Sequence, residues 1–168
     1  HWGIYIKTVA ELKKVYPNLQ VIIAKSNNVN FPKVDKSFKI EKNAKKAIIA
    51  SDIAIVASGT ATLECAIEGT PLVVCYKVSS LTWLLAKLMV KVKHSSIVNL
   101  IAGEKIVPEF LQSEMKPNII KNKLIELIDE KSKIRNQMMK DFLTIKNKLG
   151  TPGVYAKIAN EILKATKT

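Results

Sequence analysis

The stretch Ser58-Gly59-Thr60-Ala61-Thr62-Leu63-Glu64 most constrains what this chain can fold into. It follows Asp52 to Ala57, a β-branched and alanine run that reads as a buried strand, and leads into Leu63 to Gly69, which reads as a helix closed by glycine. A bend of this kind leaves backbone N–H groups free at the helix start. The helix dipole adds partial positive charge there, and together they favour an anion, most often a phosphate. Gly59 has no Cβ to block close approach, and Ser58, Thr60 and Thr62 add hydroxyl groups. Glu64 lies about 6 Å along the axis from Thr60 at 1.5 Å per residue. Its Cβ tilts back toward the helix start, so its carboxylate can reach the hydroxyls of a sugar whose phosphate rests on the bend. The same residues also suit plain scaffolding: serine and threonine are ordinary helix caps, and the dipole favours a glutamate in an early turn. Spacing alone leaves both readings open.

The elements around this bend alternate. Val9 to Tyr16 has helical spacing and is stopped by Pro17-Asn18; Leu19 to Ala24 reads as a buried strand, and the polar segment from Lys25 to Lys36 as a loop. Phe38 to Ile40 reads as a short strand. Asn43 to Ser51 reads as a helix with Ala44, Ala47 and Ile48 inward, and Leu72 to Tyr76 as another strand. Strands alternating with helices imply parallel crossovers and a doubly wound α/β sheet. Ligands bind beyond the carboxyl ends of such strands, where both the Ser58 bend and Tyr76-Lys77 lie.

Ser80 to Lys91 has a Leu81, Leu84, Leu85, Leu88 stripe with Trp83, Lys87 and Lys91 off it. That suits a core helix with a solvated lysine face, or a helix touching a membrane surface through Trp83, Met89 and the lysines. Asn99 and Gln112 sit among apolar neighbours, where an amide satisfies backbone groups or reads a ligand. Glu109 after Pro108 reads as a first-turn helix residue. From Pro117 the pattern is helical, with a basic helix over Lys131 to Leu149, a break at Gly150 to Gly153, and a last helix over Val154 to Thr166 whose stripe is Val154, Ile158, Ile162 and Leu163.

Composition narrows the partners. The 168 residues suffice for one domain with a proper core. The net charge is +13, supplied almost wholly by lysine, since Arg135 is the sole arginine. Readers of nucleic acid lean on arginine for bidentate contacts, so nucleic acid is not the expected partner. The charge reflects composition bias, or attraction to anionic headgroups or a polyanionic substrate. Cys65 and Cys75 lack companions at ligand spacing and read as small core residues, so no metal site is expected. This cysteine usage suits a reducing compartment. No apolar run reaches the about 20 residues of a membrane span. The start at His1-Trp2-Gly3, without methionine, reads as a piece of a longer protein or a processed product.

Ser51 to Cys65 followed by Gly69 to Lys77 resembles the carboxyl half of lipid-A-disaccharide synthase. Leu81-Thr82, Leu88 to Lys93, Asn99 to Gly103 and Pro108 to Gln112 match in order and spacing. The resemblance implies one Rossmann-like half of a GT-B glycosyltransferase, with a donor-binding domain over 1–116 and carboxyl-terminal helices over 117–168. These helices would pack on the domain or exchange in a homodimer of the full-length protein. It implies transfer of 2,3-diacylglucosamine from UDP-2,3-diacylglucosamine to lipid X, without a metal or other cofactor, at the cytoplasmic face of the inner membrane. By the same resemblance the turn of Ser58, Gly59 and Thr60 holds the UDP diphosphate and Glu64 binds ribose hydroxyls, while Asn99, Glu109 and Gln112 line the donor side of the cleft; Thr62 joins the expected donor-binding residues through its hydroxyl.

Three departures bear on activity. The acceptor-binding half is absent, as is the Gly-Ser-Arg phosphate loop that precedes the first helix in the family, and Val98 replaces the usual proline. Weak UDP binding and no transfer are therefore expected of this chain alone. Two other readings fit the same residues: a GT-B enzyme using another UDP-sugar, and a non-catalytic basic adaptor at a membrane surface.

Overall fold

Leu72–Tyr76 is the most apolar strand in the sequence and becomes the centre of the molecule, with Leu72, Val73, Val74 and Cys75 inaccessible to solvent. In the computed structural model, which describes residues 1–25, 34–79, 82, 83, 94–150 and 153–165, helices and parallel strands alternate around it. The order is α1 (Trp2–Val15), β1 (Ile22–Ala24), β2 (Lys39–Glu41), α2 (Ala44–Ile49), β3 (Ala54–Val56), α3 (Thr60–Glu68) and β4 (Leu72–Tyr76). Then come α4 (Ile97–Ala102), β5 (Glu109–Leu111), a 3₁₀ turn (Gln112–Glu114), α5 (Pro117–Ile128), α6 (Lys133–Leu149) and α7 (Val154–Ala165). One sheet runs β3-β4-β5 and another β1-β2, and every pair is parallel. The α/β class with parallel strands is thus as expected.

Three local expectations change. Helix α1 begins at Trp2 rather than near Val9. Gly3 costs about 1 kcal/mol in a helix, but packing carries the extra turns: Ile4 and Tyr5 lie against the core, and the Tyr5 hydroxyl donates to the Cys75 carbonyl at 3.2 Å. The strands expected to be buried over Leu19 to Ala24 and Asp52 to Ala57 are three residues each and half-buried at best, because each lies at the edge of its sheet. Ala44 is exposed, while Ala47 and Ile48 face inward as expected; Asn43 caps this helix by accepting from the Lys46 N–H. Of the helix expected over residues 80–91, only Thr82 and Trp83 fall among the described residues, and Ser79 caps that turn by accepting from the Thr82 N–H at 3.1 Å. The Leu81, Leu84, Leu85, Leu88 stripe, with Lys87, Met89, Lys91 and Lys93, lies outside them, as do residues 26–33 of the expected loop.

Helices close both sides of β4. Ile120, Leu124 and Leu127 of α5 and Met138, Phe142 and Ile145 of α6 join the strand residues in one core, so residues 117–149 share a hydrophobic interior with the sheet. Arg135 fixes the α5–α6 corner. Its Nη1 donates to the Leu127 carbonyl at 2.8 Å and to the Asp52 carbonyl at 3.3 Å, just before β3.

Candidate functional site

The carboxyl ends of β3, β4 and β5 form one rim. Val56 pairs with Val74 and Tyr76 with Leu111, so two steps beyond Val56 bring Ser58 level with Tyr76, while across β4 the strand β5 ends at Leu111 and hands over to Gln112. The Ser58 bend, Lys77 and Gln112 therefore share one end of the sheet, as the parallel topology requires of strand-end ligand sites.

At the bend, Ser58 and Gly59 are half-buried and Thr60 is exposed. Gly59 precedes the first turn of α3, and among the described residues no side chain caps that turn. A Cβ built on Gly59 meets nothing within 4 Å among the described residues, so none of them blocks a ligand at the bend. Glu64 is exposed one turn further along. The far end of α3 closes at Gly69, whose φ of 77° is the left-handed cap that favours glycine. Thr62 faces the other way: it is fully buried, and its hydroxyl donates to the Gly59 carbonyl at 2.8 Å.

Asn99 and Glu109 are also turned inward. Glu109 is not in a first helical turn; it starts β5 and is 8% exposed. One carboxylate oxygen, Oε2, accepts from the N–H and hydroxyl of Ser95 at 3.0 and 2.9 Å. The other, Oε1, accepts from the N–H and hydroxyl of Ser96 at 2.9 and 2.6 Å and from Asn99 Nδ2 at 2.8 Å. Asn99 Nδ2 also donates to the Val107 carbonyl, and its Oδ1 accepts from the N–H groups of Ile106 and Val107. Burial by itself would raise the Glu109 pKa. The hydrogen bond from the Ser96 hydroxyl, then those from the Ser95 and Ser96 N–H groups and Asn99, outweigh it and hold the carboxyl below its ordinary value.

This hub reaches the bend in one step. The Ser58 hydroxyl donates to the Ser95 carbonyl at 2.6 Å, while the Ser95 N–H is held by Glu109. Ser95 and Ser96 were not among the residues singled out from the sequence. Their signal was a pair of serines just before the Ile97 helix, an N-cap pattern, and Ser96 does cap α4 by accepting from the Asn99 N–H.

Gln112 stands apart from Asn99. It has φ of 50°, the one positive value at a non-glycine residue among the described residues. Its Nε2 is buried and has no hydrogen-bond partner among the described residues. A left-handed backbone and an unspent buried donor both cost free energy, and both occur at the rim where the bend lies. Lys77 is held there too, its N–H donating to His1 Nε2 at 2.8 Å, with the His1 ring 5.6 Å from that of Tyr76. Cys65 and Cys75 lie in the core beneath, their thiols pushed up to about 12 chiefly by burial, so neither is a nucleophile near neutral pH. The structure thus brings Ser58, Gly59, Thr60 and Gln112 to one rim, with Glu64 exposed behind them, and places Thr62, Asn99 and Glu109 beneath the surface as supports.

Comparison with known proteins agrees with the motif blocks. Residues 1–156 match the family model described as lipid-A-disaccharide synthetase. The chain is 38% identical over 152 residues to the lipid-A-disaccharide synthase of Rickettsia prowazekii, with 83% of this chain and 39% of the relative covered. It is 32% identical over 167 residues to that of Myxococcus xanthus, covering 95% of this chain and 43% of the relative. For that of Haemophilus influenzae it is 35% identical over 146 residues, covering 80% and 37%. The chain therefore spans about two-fifths of the length of the curated relatives it matches.

Proposed function

The chain belongs to the lipid-A-disaccharide synthase family, and on that footing we propose that it is the donor-binding part of a glycosyltransferase of lipid A biosynthesis. The reaction moves 2,3-diacylglucosamine from its UDP conjugate to lipid X, releasing UDP. In this reading the open first turn of α3 receives the diphosphate, with Ser58 and Thr60 beside it, and Glu64 takes the ribose hydroxyls. Gln112 offers its unspent amide from the end of β5. Thr62, Asn99 and Glu109 act indirectly, by holding the bend and the Ser95-Ser96 corner in place. The developing charge on the leaving UDP would meet N–H groups and a helix dipole already oriented toward it.

The observation that carries this reading is the uncapped, unobstructed start of α3 at the strand-end rim, on residues inside the family match. The acceptor, its activating group and the transfer step belong to the rest of the longer protein, so this chain alone should bind UDP weakly and transfer nothing. The cytoplasmic membrane face is part of the same proposal: the net charge of +13 favours an anionic surface, and no helix among the described residues is long and apolar enough to cross a membrane. So is a homodimer of the whole protein, which would bury Ile158, Ile162 and Leu163, each more than half exposed on α7.

Calorimetric titration of UDP into the chain and into Glu64→Ala tests the site. The expected result is measurable binding that weakens about tenfold in the variant, roughly 1.4 kcal/mol. Equal binding to both would move the nucleotide away from α3. Vesicle binding with no UDP binding to either protein would favour the basic adaptor instead.

A further inference from the structure

We propose that Gln112 reads the acylated hexose of the donor, and that it stands at position 112 at a cost to the fold. The proposal rests on the UDP reading of the Ser58 bend and names what the next part of the same ligand meets.

Gln112 is a poor choice for stability on two independent counts. Its φ of 50° lies in the left-handed region, and no other non-glycine residue among the described residues has a positive φ. A residue with a Cβ is strained there; glycine fills such a place without strain and asparagine with less. The second count is the side chain. Its Nε2 is buried and bonds to nothing among the described residues. A leucine of similar size would cover the same surface and leave no donor unpaired. The buried amide of Asn99 is the contrast: its Nδ2 donates to Val107 and Glu109, and its Oδ1 accepts from two N–H groups. Two faults on one residue, neither used by the packing of the described residues, are the mark of a functional position.

The turn itself does not need the glutamine side chain. β5 pairs with β4 through Leu111, Gln112 opens the 3₁₀ turn, and Met115 closes it by donating its N–H to the Gln112 carbonyl. Glu114 reaches back to accept from the Leu111 N–H at 3.4 Å, and Met115 anchors the turn in the core. Backbone, Glu114 and Met115 therefore build the turn, and the amide of Gln112 is left over.

Position then selects the ligand group. Ser58 stands level with Tyr76, and Tyr76 pairs with Leu111. Gln112 is thus two strand spacings across the rim from the bend, about 10 Å, with the end of β4 between them. A diphosphate on the first turn of α3 lies on the far side of β4, and Glu64, on α3 itself, takes the ribose. The part of the donor left to cross β4 is the hexose attached to the second phosphate. Its hydroxyls and acyl carbonyls are acceptors, which is what an unpaired NH₂ requires. The residue as a whole is half-buried. The terminal torsion of glutamine is broad and two-fold, so a half-turn exchanges the two ends of the amide and releases Nε2 from its buried position.

The test is calorimetric titration of UDP and of UDP-2,3-diacetylglucosamine, a short-chain form of the donor, into the chain, Gln112→Leu and Gln112→Gly, with urea denaturation of each. Gln112→Leu keeps the bulk and removes the amide; Gln112→Gly also relieves the backbone. Stability and recognition should move in opposite directions. Both variants should unfold at a urea concentration equal to or above that of the parent chain and bind UDP within about twofold of it, yet bind the sugar nucleotide about tenfold more weakly. Equal weakening toward both ligands would place Gln112 at the diphosphate and overturn the proposal. So would undiminished binding of the sugar nucleotide by either variant, or a urea midpoint lowered in both, which would make the glutamine a structural residue. Each of these leaves the UDP reading intact if Glu64→Ala still weakens UDP. A parent chain that binds neither ligand would remove that reading and this proposal together.

Discussion

Glu109→Gln should lower the unfolding free energy by about 2–3 kcal/mol, because a buried acceptor that five donors share is replaced by a group with one acceptor oxygen. The geometry says where the damage goes. The amide oxygen of glutamine best replaces Oε1, which serves three donors, two of them N–H groups with no freedom to turn. That leaves an NH₂ at the Oε2 position, facing the Ser95 N–H across what was a 3.0 Å bond. The Ser95 hydroxyl can rotate to accept; its N–H cannot. Ser95 is the residue whose carbonyl holds the Ser58 hydroxyl, so the misfit passes to the bend. UDP binding by the folded variant should weaken by about fivefold or more, roughly 1 kcal/mol. Urea denaturation gives the first number and calorimetry under folding conditions the second. A stability change below about 0.5 kcal/mol, the range of ordinary surface substitutions, would contradict the hub.

The same substitution has a pH signature with a fixed sign. The folded Glu109 carboxyl titrates below its ordinary value, so the unfolded chain binds the proton more readily. The carboxylate's contribution is complete above the ordinary glutamate pKa of about 4.3 and is lost as pH falls through the lower folded value. The stability gap between the native chain and Glu109→Gln should therefore be widest near neutral pH and narrow below about pH 4. Glu11 and Asp35 are also shifted down, but they are common to both proteins, so they drop out of the difference.

What the sequence makes legible follows from how local each feature is. The strand–bend–helix at Ser58 is encoded within a dozen neighbouring residues, and the structure reproduces it. The Glu109 hub is not local. It joins the Ser95-Ser96 corner, the Asn99 helix and β5, and only the paired strands bring them together. Pro108-Glu109 carries the letters of a helix start, but β4 offered a parallel partner and strand pairing prevailed. Thr62 and Thr60 look alike in the sequence, yet two steps along α3 turn one into the core and the other to solvent. The strained backbone of Gln112 has no sequence signal, since glycine and asparagine are the residues that announce left-handed turns.

Phe142→Ala should cost about 3–5 kcal/mol, the toll of emptying a large site in a packed core, while leaving UDP affinity per folded molecule within about twofold. Phe142 is 2% exposed on the face of α6 that also carries Met138 and Ile145. Domains of this size are stable by about 5–15 kcal/mol, so the loss is a large share of the whole, and the urea midpoint should fall accordingly. The affinity should hold because of where α6 meets α3. Met139 Cε lies 3.4 Å from the position of a Cβ on Gly69, at the opposite end of α3 from the Ser58 bend. Emptying the Phe142 site loosens the core without removing any hydrogen-bond partner of the Ser95–Ser58 link. The two variants therefore separate two kinds of support. Phe142 holds the helix onto the sheet, and its loss lowers the fraction folded. Glu109 holds the corner that holds the bend, and its loss also weakens the molecules that remain folded. A tenfold affinity loss in folded Phe142→Ala would mean that the bend is positioned by the general packing of α3, and that the hydrogen-bonded path from Glu109 has no special part in it.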